Sequence, residues 1–358
     1  MTLPSDSFAW FRGLSVNPLR QFRAPARRSR RRIVAVLALA LGAITAPFGS
    51  VLAAQKEQAG DKIVISGASG ELAGDAIRAL LLRGVKLADL VLVTRTPEKL
   101  SSFATNGAAV RLGDFDKPET LEAAFAGGRE LLLVSTNSSG DRVAQHTNAI
   151  SAARKAGIRH IVYTSFINAT SDNPALIARS HQLTEEALMK SGVRFTILRN
   201  QLYMDGLIDE VAQAIKTGDL YTNGAKGKWA PVARRDCAEA AAVVLTTPGH
   251  EGKIYDLTGP ELINHQDLAK LVSEVTGRRV RSIEVDDATF MGRELRAGLP
   301  EALVKLDASF GVALRANSLN IRSDVLQILL GRTPRSVRDL LVENKSRLLS
   351  ATPQLRAN

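Results

Sequence analysis

Gly67, Gly70 and Ala73 lie three residues apart in Ile63-Val-Ile-Ser-Gly67-Ala-Ser69-Gly70-Glu71-Leu72-Ala73-Gly74, directly after an apolar run and before a helical pattern. That spacing suits phosphate binding. Gly67 permits a tight turn, Gly70 a close backbone approach to a pyrophosphate, and Ala73 close helix packing. A helix opening near Glu71 would turn its unpaired N–H groups and positive dipole end on the phosphates, with Ser69, Glu71 and Leu72 beside them. No Gly-Lys-Ser/Thr follows, and Ser69 lacks the spacing of a hydrolase nucleophile elbow, so neither a phosphate-loop NTPase nor that hydrolase class fits. The next apolar run, Leu90 to Thr94, ends at Arg95, with Lys99 beyond, and offers no acid for a ribose 2′-hydroxyl. A basic strand end suits a 2′-phosphate, so NADP(H) is the expected cofactor. Asp114 and Phe115 follow the third run and fit either an adenine edge or a plain turn.

Further candidates come from later strand ends. Thr136 and Asn137, Ser165, and Asn200 with Tyr203 would surround a nicotinamide if the sheet is doubly wound, although each also suits a turn or cap. His181 and Glu185 lie four apart on one helix face and either border the cofactor or make a structural hydrogen bond. His146 reads as packed, and Arg234 with Asp236 as a structural ion pair. Ser165, His181, Asn200 and Tyr203 are thus the catalytic candidates. No histidine–carboxylate cluster has metal-ligand spacing, so no metal is expected.

The elements that must position these groups alternate from residue 60 onward. Strands are predicted near Lys62 to Ser66, Leu90 to Thr94, Ala109 to Leu112, Glu130 to Ser135, His160 to Ser165 and Arg194 to Leu198. Helices are predicted near Glu71 to Arg83, Pro97 to Thr105, Pro118 to Ala126, Arg142 to Ala156 and Ala178 to Ser191. The alternation predicts an α/β fold, a doubly wound parallel sheet of Rossmann type with a smaller C-terminal substrate lobe. Residues 200–232 read as loop-rich, followed by a helix at Asp236 to Leu245 and a strand at Lys253 to Leu257. Helical patterns at His265 to Thr276, Ala288 to Ala297, Ser323 to Leu330 and Val337 to Glu343 fill the tail. The expected core is therefore 60–198 with 230–258, and the expected lobe 199–229 with 259–350.

Charge places a separate function at the N-terminus. The chain carries a net +11, but the first 32 residues hold eight arginines and one acid, and residues 33–54 hold no charge. The folded body is only mildly basic, so no nucleic-acid partner is expected. Ser29-Arg30-Arg31-Arg32-Ile33-Val34, a moderately apolar run and Val51-Leu-Ala53-Ala54 resemble a twin-arginine export signal over residues 1–54, cleaved after Ala53 or Ala54. This predicts export through the twin-arginine machinery and a periplasmic mature form that is not membrane-embedded. An uncleaved inner-membrane anchor is the alternative, since 22 residues exceed the roughly 20 that span a bilayer. Cys237, the single cysteine, excludes an internal disulfide and reads as a packed thiol.

A family resemblance joins these features. Gly67-Ala-Ser-Gly-x-Leu-Ala73, the Arg95 strand end, Gly113-Asp-Phe115, Ala152-Ala-x-x-Ala-Gly157 before His160-Ile-Val-Tyr-Thr-Ser165, Leu198-Arg-Asn200-x-x-Tyr203 and Glu251-Gly-Lys-Ile-Tyr-Asp-Leu-Thr-Gly259 resemble the NmrA-like branch of atypical short-chain dehydrogenases/reductases. Within it the chain is most similar to the type 2 NADPH:quinone oxidoreductases, and less so to the triphenylmethane reductases. The resemblance spans about residues 62–340 and implies bound NADPH in a cleft between core and lobe. His181 and Glu185 match the His-x-x-x-Glu of those reductases. One departure concerns mechanism. Ordinary short-chain dehydrogenases use a Tyr-x-x-x-Lys pair to lower a phenol pKa, yet Tyr163, Tyr203, Tyr221 and Tyr255 are followed four positions on by Ile167, Leu207, Ala225 and Gly259. Alcohol oxidation of that type, and an epimerase, are disfavoured. Hydride transfer to a quinone or similar conjugated acceptor needs mainly positioning and stabilisation of a developing phenolate. The alternative is a non-catalytic NADP-binding redox sensor or ligand-binding protein, which the missing pair favours and the export signal opposes. A homodimer stays open.

Overall fold

Leu90–Thr94 and His160–Phe166 are buried at every position, as strands must be when helices cover both faces of a sheet. The computed structural model describes residues 61–136 and 140–350, so the expected export signal and Asn137 lie outside the described residues. The strands are β1 (Lys62–Ile65), β2 (Leu90–Thr94), β3 (Ala109–Leu112), β4 (Gly128–Leu133), β5 (His160–Phe166), β6 (Arg194–Asn200), β7 (Asp219–Thr222), β8 (Lys253–Leu257) and β9 (Arg281–Glu284). Seven of them form one parallel sheet in the order β3-β2-β1-β4-β5-β6-β8, while β7 pairs with β9. The winding direction reverses between β1 and β4, so the crevice beyond their carboxyl ends is where a doubly wound sheet takes its ligand.

The helices are α1 (Glu71–Leu82), α2 (Ser101–Thr105), α3 (Leu121–Phe125), α4 (Arg142–Lys155), α5 (Ala178–Lys190), α6 (Leu207–Thr217), α7 (Arg234–Thr246), α8 (His265–Thr276), α9 (Asp287–Arg296), α10 (Glu301–Arg315), α11 (Val325–Leu330), α12 (Val337–Glu343) and α13 (Lys345–Ser350). Strand alternation sorts the core into two faces. Leu132, Val162 and Leu198 meet α1 and α7, whereas Leu131, Tyr163 and Ile197 meet α3, α4 and α5. Ala73, Ala76, Ile77 and Leu80 recur at helical spacing along α1 and are fully buried. Burying Ile77 and Leu80 contributes roughly 1.5–3 kcal/mol each.

A second core lies beyond β6, built on Met204, Val211, Leu220, Trp229, Val272 and Leu341. The stretch 200–232, predicted to be loop-rich, contains α6 and β7. α6 buries Ile208, Val211, Ala214 and Ile215, a helical stripe just eleven residues long between Gly206 and Gly218. β7 has four residues, too few for a periodic signal, and its partner β9 lies some sixty residues on. α10 was likewise not anticipated. The helix predicted from Ser323 begins at Val325, because Ser323 is held outside it: its N–H donates to Thr258 Oγ1 at 3.0 Å. The tail also returns to the first core, where α11 packs on α7 and β8 and buries Leu326.

Candidate active site

The turn after β1 is fixed from both sides. Ser66 accepts from Val134 N–H (3.0 Å) and donates to the Leu132 carbonyl (3.1 Å), tying β1 to β4. Ala68 N–H donates to the Val93 carbonyl, and the Ser69 and Thr94 hydroxyls share a 2.8 Å hydrogen bond, tying the turn to β2. Gly67 has φ +60°, a conformation that strains any side-chain-bearing residue. Gly70 N–H closes the turn on the Gly67 carbonyl at 2.8 Å, and a Cβ on Gly70 would lie 3.1 Å from that oxygen. No side chain caps α1, so its first N–H groups are left for an anion. Gly67, Ser69 and Gly70 are exposed at this end, a cradle that fits a pyrophosphate.

The other cofactor candidates separate. Arg95 and Lys99 are exposed beyond β2 and make no ion pair with a described residue. Leu72 packs partly into the α1–α7 core. The Asp114 carboxylate accepts from Asp116 N–H at 3.1 Å, an Asx turn. Phe115 is buried between α3 and α4 with its ring edge-on to His146, so its side chain belongs to the core and not to an adenine edge. Thr136 is saturated by α4: its N–H donates to His146 Nε2 (3.0 Å), its hydroxyl to Gln145 Oε1 (2.7 Å), and its carbonyl accepts from Arg142 Nε (2.8 Å). Glu71 turns its carboxylate away from the turn to Arg234 Nη1, 2.7 Å away. Burial raises the Glu71 pKa, against the lowering effect of Arg234.

The four catalytic candidates form two pairs on opposite faces of the sheet. Asn200 shares the face of Thr196 and Leu198, and its Nδ2 donates to Tyr203 Oη at 2.8 Å. Burial pushes the Tyr203 phenol pKa up, so it stays protonated. Asn200 Oδ1 is buried with no hydrogen-bond partner, an acceptor left over at the carboxyl edge. Ser165 and His181 lie on the α4–α5 face. Ser165 donates to Glu185 Oε1 at 2.6 Å, and Arg199 clamps the same buried carboxylate through Nε (2.9 Å) and Nη2 (2.6 Å). Glu185 is therefore a structural anchor, although it lies four residues from His181.

His181 ends a buried hydrogen-bonded chain that runs through Tyr163 and His146. Because Thr136 N–H donates to His146 Nε2, His146 carries its proton on Nδ1, which donates to Thr184 Oγ1 at 3.0 Å. Tyr163 Oη shares a 2.7 Å hydrogen bond with His181 Nδ1 and stands 3.3 Å from His146 Nδ1; with the phenol donating to His181, the His181 proton sits on Nε2. Burial keeps both imidazoles neutral: His146 falls to about 3 and His181 lies well below the usual histidine value, with Arg142 adding to both shifts. Burial likewise raises the Tyr163 pKa. The His181 ring also stands 6.2 Å from Phe166, and Phe166 6.1 Å from Phe310 of α10, an aromatic ladder joining core to lobe. Tyr163, Phe166 and Phe310 were missed as site residues. Tyr163 carried a signal in its place within β5, but Phe310 had none, being brought in by α10.

Two charge pairings differ from expectation. Arg234 does not pair with Asp236 but reaches Glu71, Asp75 (3.5 Å) and Asp205 (3.5 Å). Asp236, fully buried, instead binds Arg332 at 2.8 Å and the Arg335 guanidinium and N–H. Residues 236 and 234 point apart because they stand on different faces of the first turn of α7. Cys237 is buried, and burial raises its thiol pKa.

Comparison with known proteins bears on the family and the fold. A family described as NAD(P)H-binding matches residues 67–248. Quinone oxidoreductase 2 of Escherichia coli K12 is 34% identical over 269 residues, covering 75% of this chain and 93% of that one. Among solved structures, the E. coli NADPH-dependent quinone oxidoreductase complexed with NADPH has a TM-score of 0.75 at 32% identity, covering 80% of this chain and 99% of that one. The Citrobacter sp. triphenylmethane reductase complexed with NADP(H) has a TM-score of 0.75 at 33% identity, covering 79% and 99%.

Proposed function

The chain belongs to the NAD(P)H-binding NmrA-like family, and from that we propose that it is an NADPH-dependent reductase whose acceptor is a quinone or similar flat conjugated molecule. The observation that carries the reading is the uncapped glycine turn at the switch point of the sheet, in a chain whose fold matches reductases solved with NADPH. Bound there, NADPH supplies a hydride. The α1 end and Gly70 backbone would hold the pyrophosphate, and Arg95 with Lys99 would face the 2′-phosphate.

On the acceptor side, the apolar rings of Phe166 and Phe310, tilted 38° to one another, lie in line with His181. A quinone gains aromaticity on accepting hydride, so the protein's task is to position the ring and stabilise the oxyanion that develops. With Tyr163 donating to Nδ1, His181 Nε2–H is the donor for that oxygen, and Asn200 Oδ1 is a spare acceptor for a donor on a bound molecule. Quinone plus hydride needs one proton to become the hydroquinone; a neutral imidazole releases no net proton, so that proton enters from solvent. Purified protein should bind NADPH saturably and oxidise it with at least one of a panel of benzo- and naphthoquinones. Binding without turnover across the panel selects the non-catalytic reading, and absence of binding refutes both.

The arginine pair and apolar run before residue 55 support export to the periplasm with cleavage after Ala53 or Ala54. A folded protein crossing by that route can carry its cofactor along. Mass spectrometry of the mature protein should find an N-terminus near residue 54 and co-purifying NADP. Intact Met1 in the membrane fraction selects an anchor instead. No helix among the described residues is long and apolar enough to cross a membrane.

A further inference from the structure

Glu71 stands at the first position of α1, next to the N–H groups that the functional reading assigns to a pyrophosphate. An acid there is favourable for a helix without a ligand, because it faces the positive end of the dipole. It is unfavourable once a pyrophosphate occupies the same field, since two anions then compete for one set of donors. The structure holds the carboxylate elsewhere. Arg234, at the first position of α7, reaches across to Glu71 through Nη1 at 2.7 Å. The arginine is itself anchored: Asp205 accepts its backbone N–H at 2.8 Å and lies 3.5 Å from Nη2, and Asp75 lies 3.5 Å from Nε. Arg234 Nε is buried and makes no hydrogen bond, so this guanidinium is placed for charge rather than for a full set of bonds. Arg78 neutralises Asp75 from the solvent side. Removing Arg234 would leave Glu71 and Asp205 with no other cation in contact among the described residues, and the nearest positive field open to Glu71 would be the end of α1.

We propose that Arg234 is a cofactor-positioning residue: by holding the Glu71 carboxylate against α7, it keeps the phosphate-binding end of α1 free of a competing anion. The inference rests on the NADPH reading above. It predicts that Arg234 acts through Glu71 and not through the cofactor, which a rescue experiment separates from a merely structural role.

The experiment is calorimetric titration of the purified protein with NADPH. Wild type binds, and Arg234→Met weakens the dissociation constant about tenfold or more, each decade being about 1.4 kcal/mol. Adding Glu71→Gln to Arg234→Met restores affinity to within about threefold of wild type, because the amide keeps the size and the backbone N–H but removes the anion. Glu71→Gln alone binds NADPH at least as tightly as wild type, a test that stands even if Arg234→Met fails to fold. Arg234→Met binding as tightly as wild type overturns the inference. So does a double variant as weak as the single, or a tenfold loss in Glu71→Gln alone. If wild type itself binds no NADPH, the functional reading fails rather than the role of Arg234.

Discussion

Two residues carry separable parts of the expected chemistry. Arg95 is exposed at the end of β2 without an ion-pair partner among the described residues, so its replacement removes charge without disturbing the core. Arg95→Ala should raise KM for NADPH about ten- to hundredfold while leaving KM for NADH within about twofold, because the loss is confined to the 2′-phosphate. Steady-state kinetics with both nucleotides measure it, and an equal effect on each would place Arg95 outside the site. Tyr163 works through another residue. With its Oη donating across the 2.7 Å hydrogen bond to His181 Nδ1, it selects the Nε2–H tautomer. Tyr163→Phe removes the donor and lets the proton move to Nδ1, so kcat with a quinone should fall about ten- to hundredfold. The dissociation constant for NADPH should move little, and a parallel loss of both would indicate damage to the fold. Both residues are plain in sequence, Arg95 through its place after a strand. The use of Tyr163 was not, since a tautomer is set by partners from three elements.

At the scale of elements, the lobe contains a strained group of acids. Glu210 of α6, Glu294 of α9 and Asp307 of α10 are raised to about 7, 8 and 6 respectively, by burial first, with mutual repulsion adding to Glu210 and Glu294. Glu294 Oε2 is buried without a hydrogen-bond partner. A carboxyl with a raised folded pKa keeps a proton that the unfolded chain releases above about 4.3. The folded state therefore loses stability as pH rises from about 4.3 toward 8, the reverse of a salt-bridged carboxylate. Glu294→Gln should raise Tm at pH 8 by more than at pH 5.5, and thermal melts at the two values test it. An equal shift at both would mean that Glu294 titrates normally. α9 and α10 follow one another in the chain, but α6 lies far upstream of both. α6 was hidden in a stretch read as loop and α10 was not anticipated, so their shared acids could not be paired beforehand.

For the whole molecule, the lobe and the sheet are joined by more than the chain crossing at Asn200. α11 returns from the tail to bury Leu326 against the first core, and Arg332 and Arg335 lock onto buried Asp236 of α7. Leu326→Ala should therefore lower the stability of the entire unit by about 2–5 kcal/mol. Of the two tryptophans, Trp10 and Trp229, the second lies in the lobe core, so in a Trp10→Phe background its emission reports the lobe while far-ultraviolet circular dichroism reports the whole. Denaturant transitions followed by the two probes should move together, and separate transitions would show that the parts unfold independently.

What the sequence determined by itself was local: the strand–turn–helix of Gly67 to Gly74, the basic end of β2, and the alternation that makes a parallel sheet. Those features are encoded within a dozen residues, by glycine's access to positive φ and by the spacing of apolar side chains. Only the tertiary structure decided which face of the sheet each strand-end residue took and that β7 pairs with β9. It also decided that Phe115 packs inward and that Arg234 meets Glu71 and not Asp236. Each depends on groups far apart in the chain being brought within a few ångströms, and a charge or a hydroxyl has no chemistry of its own until a partner is that close.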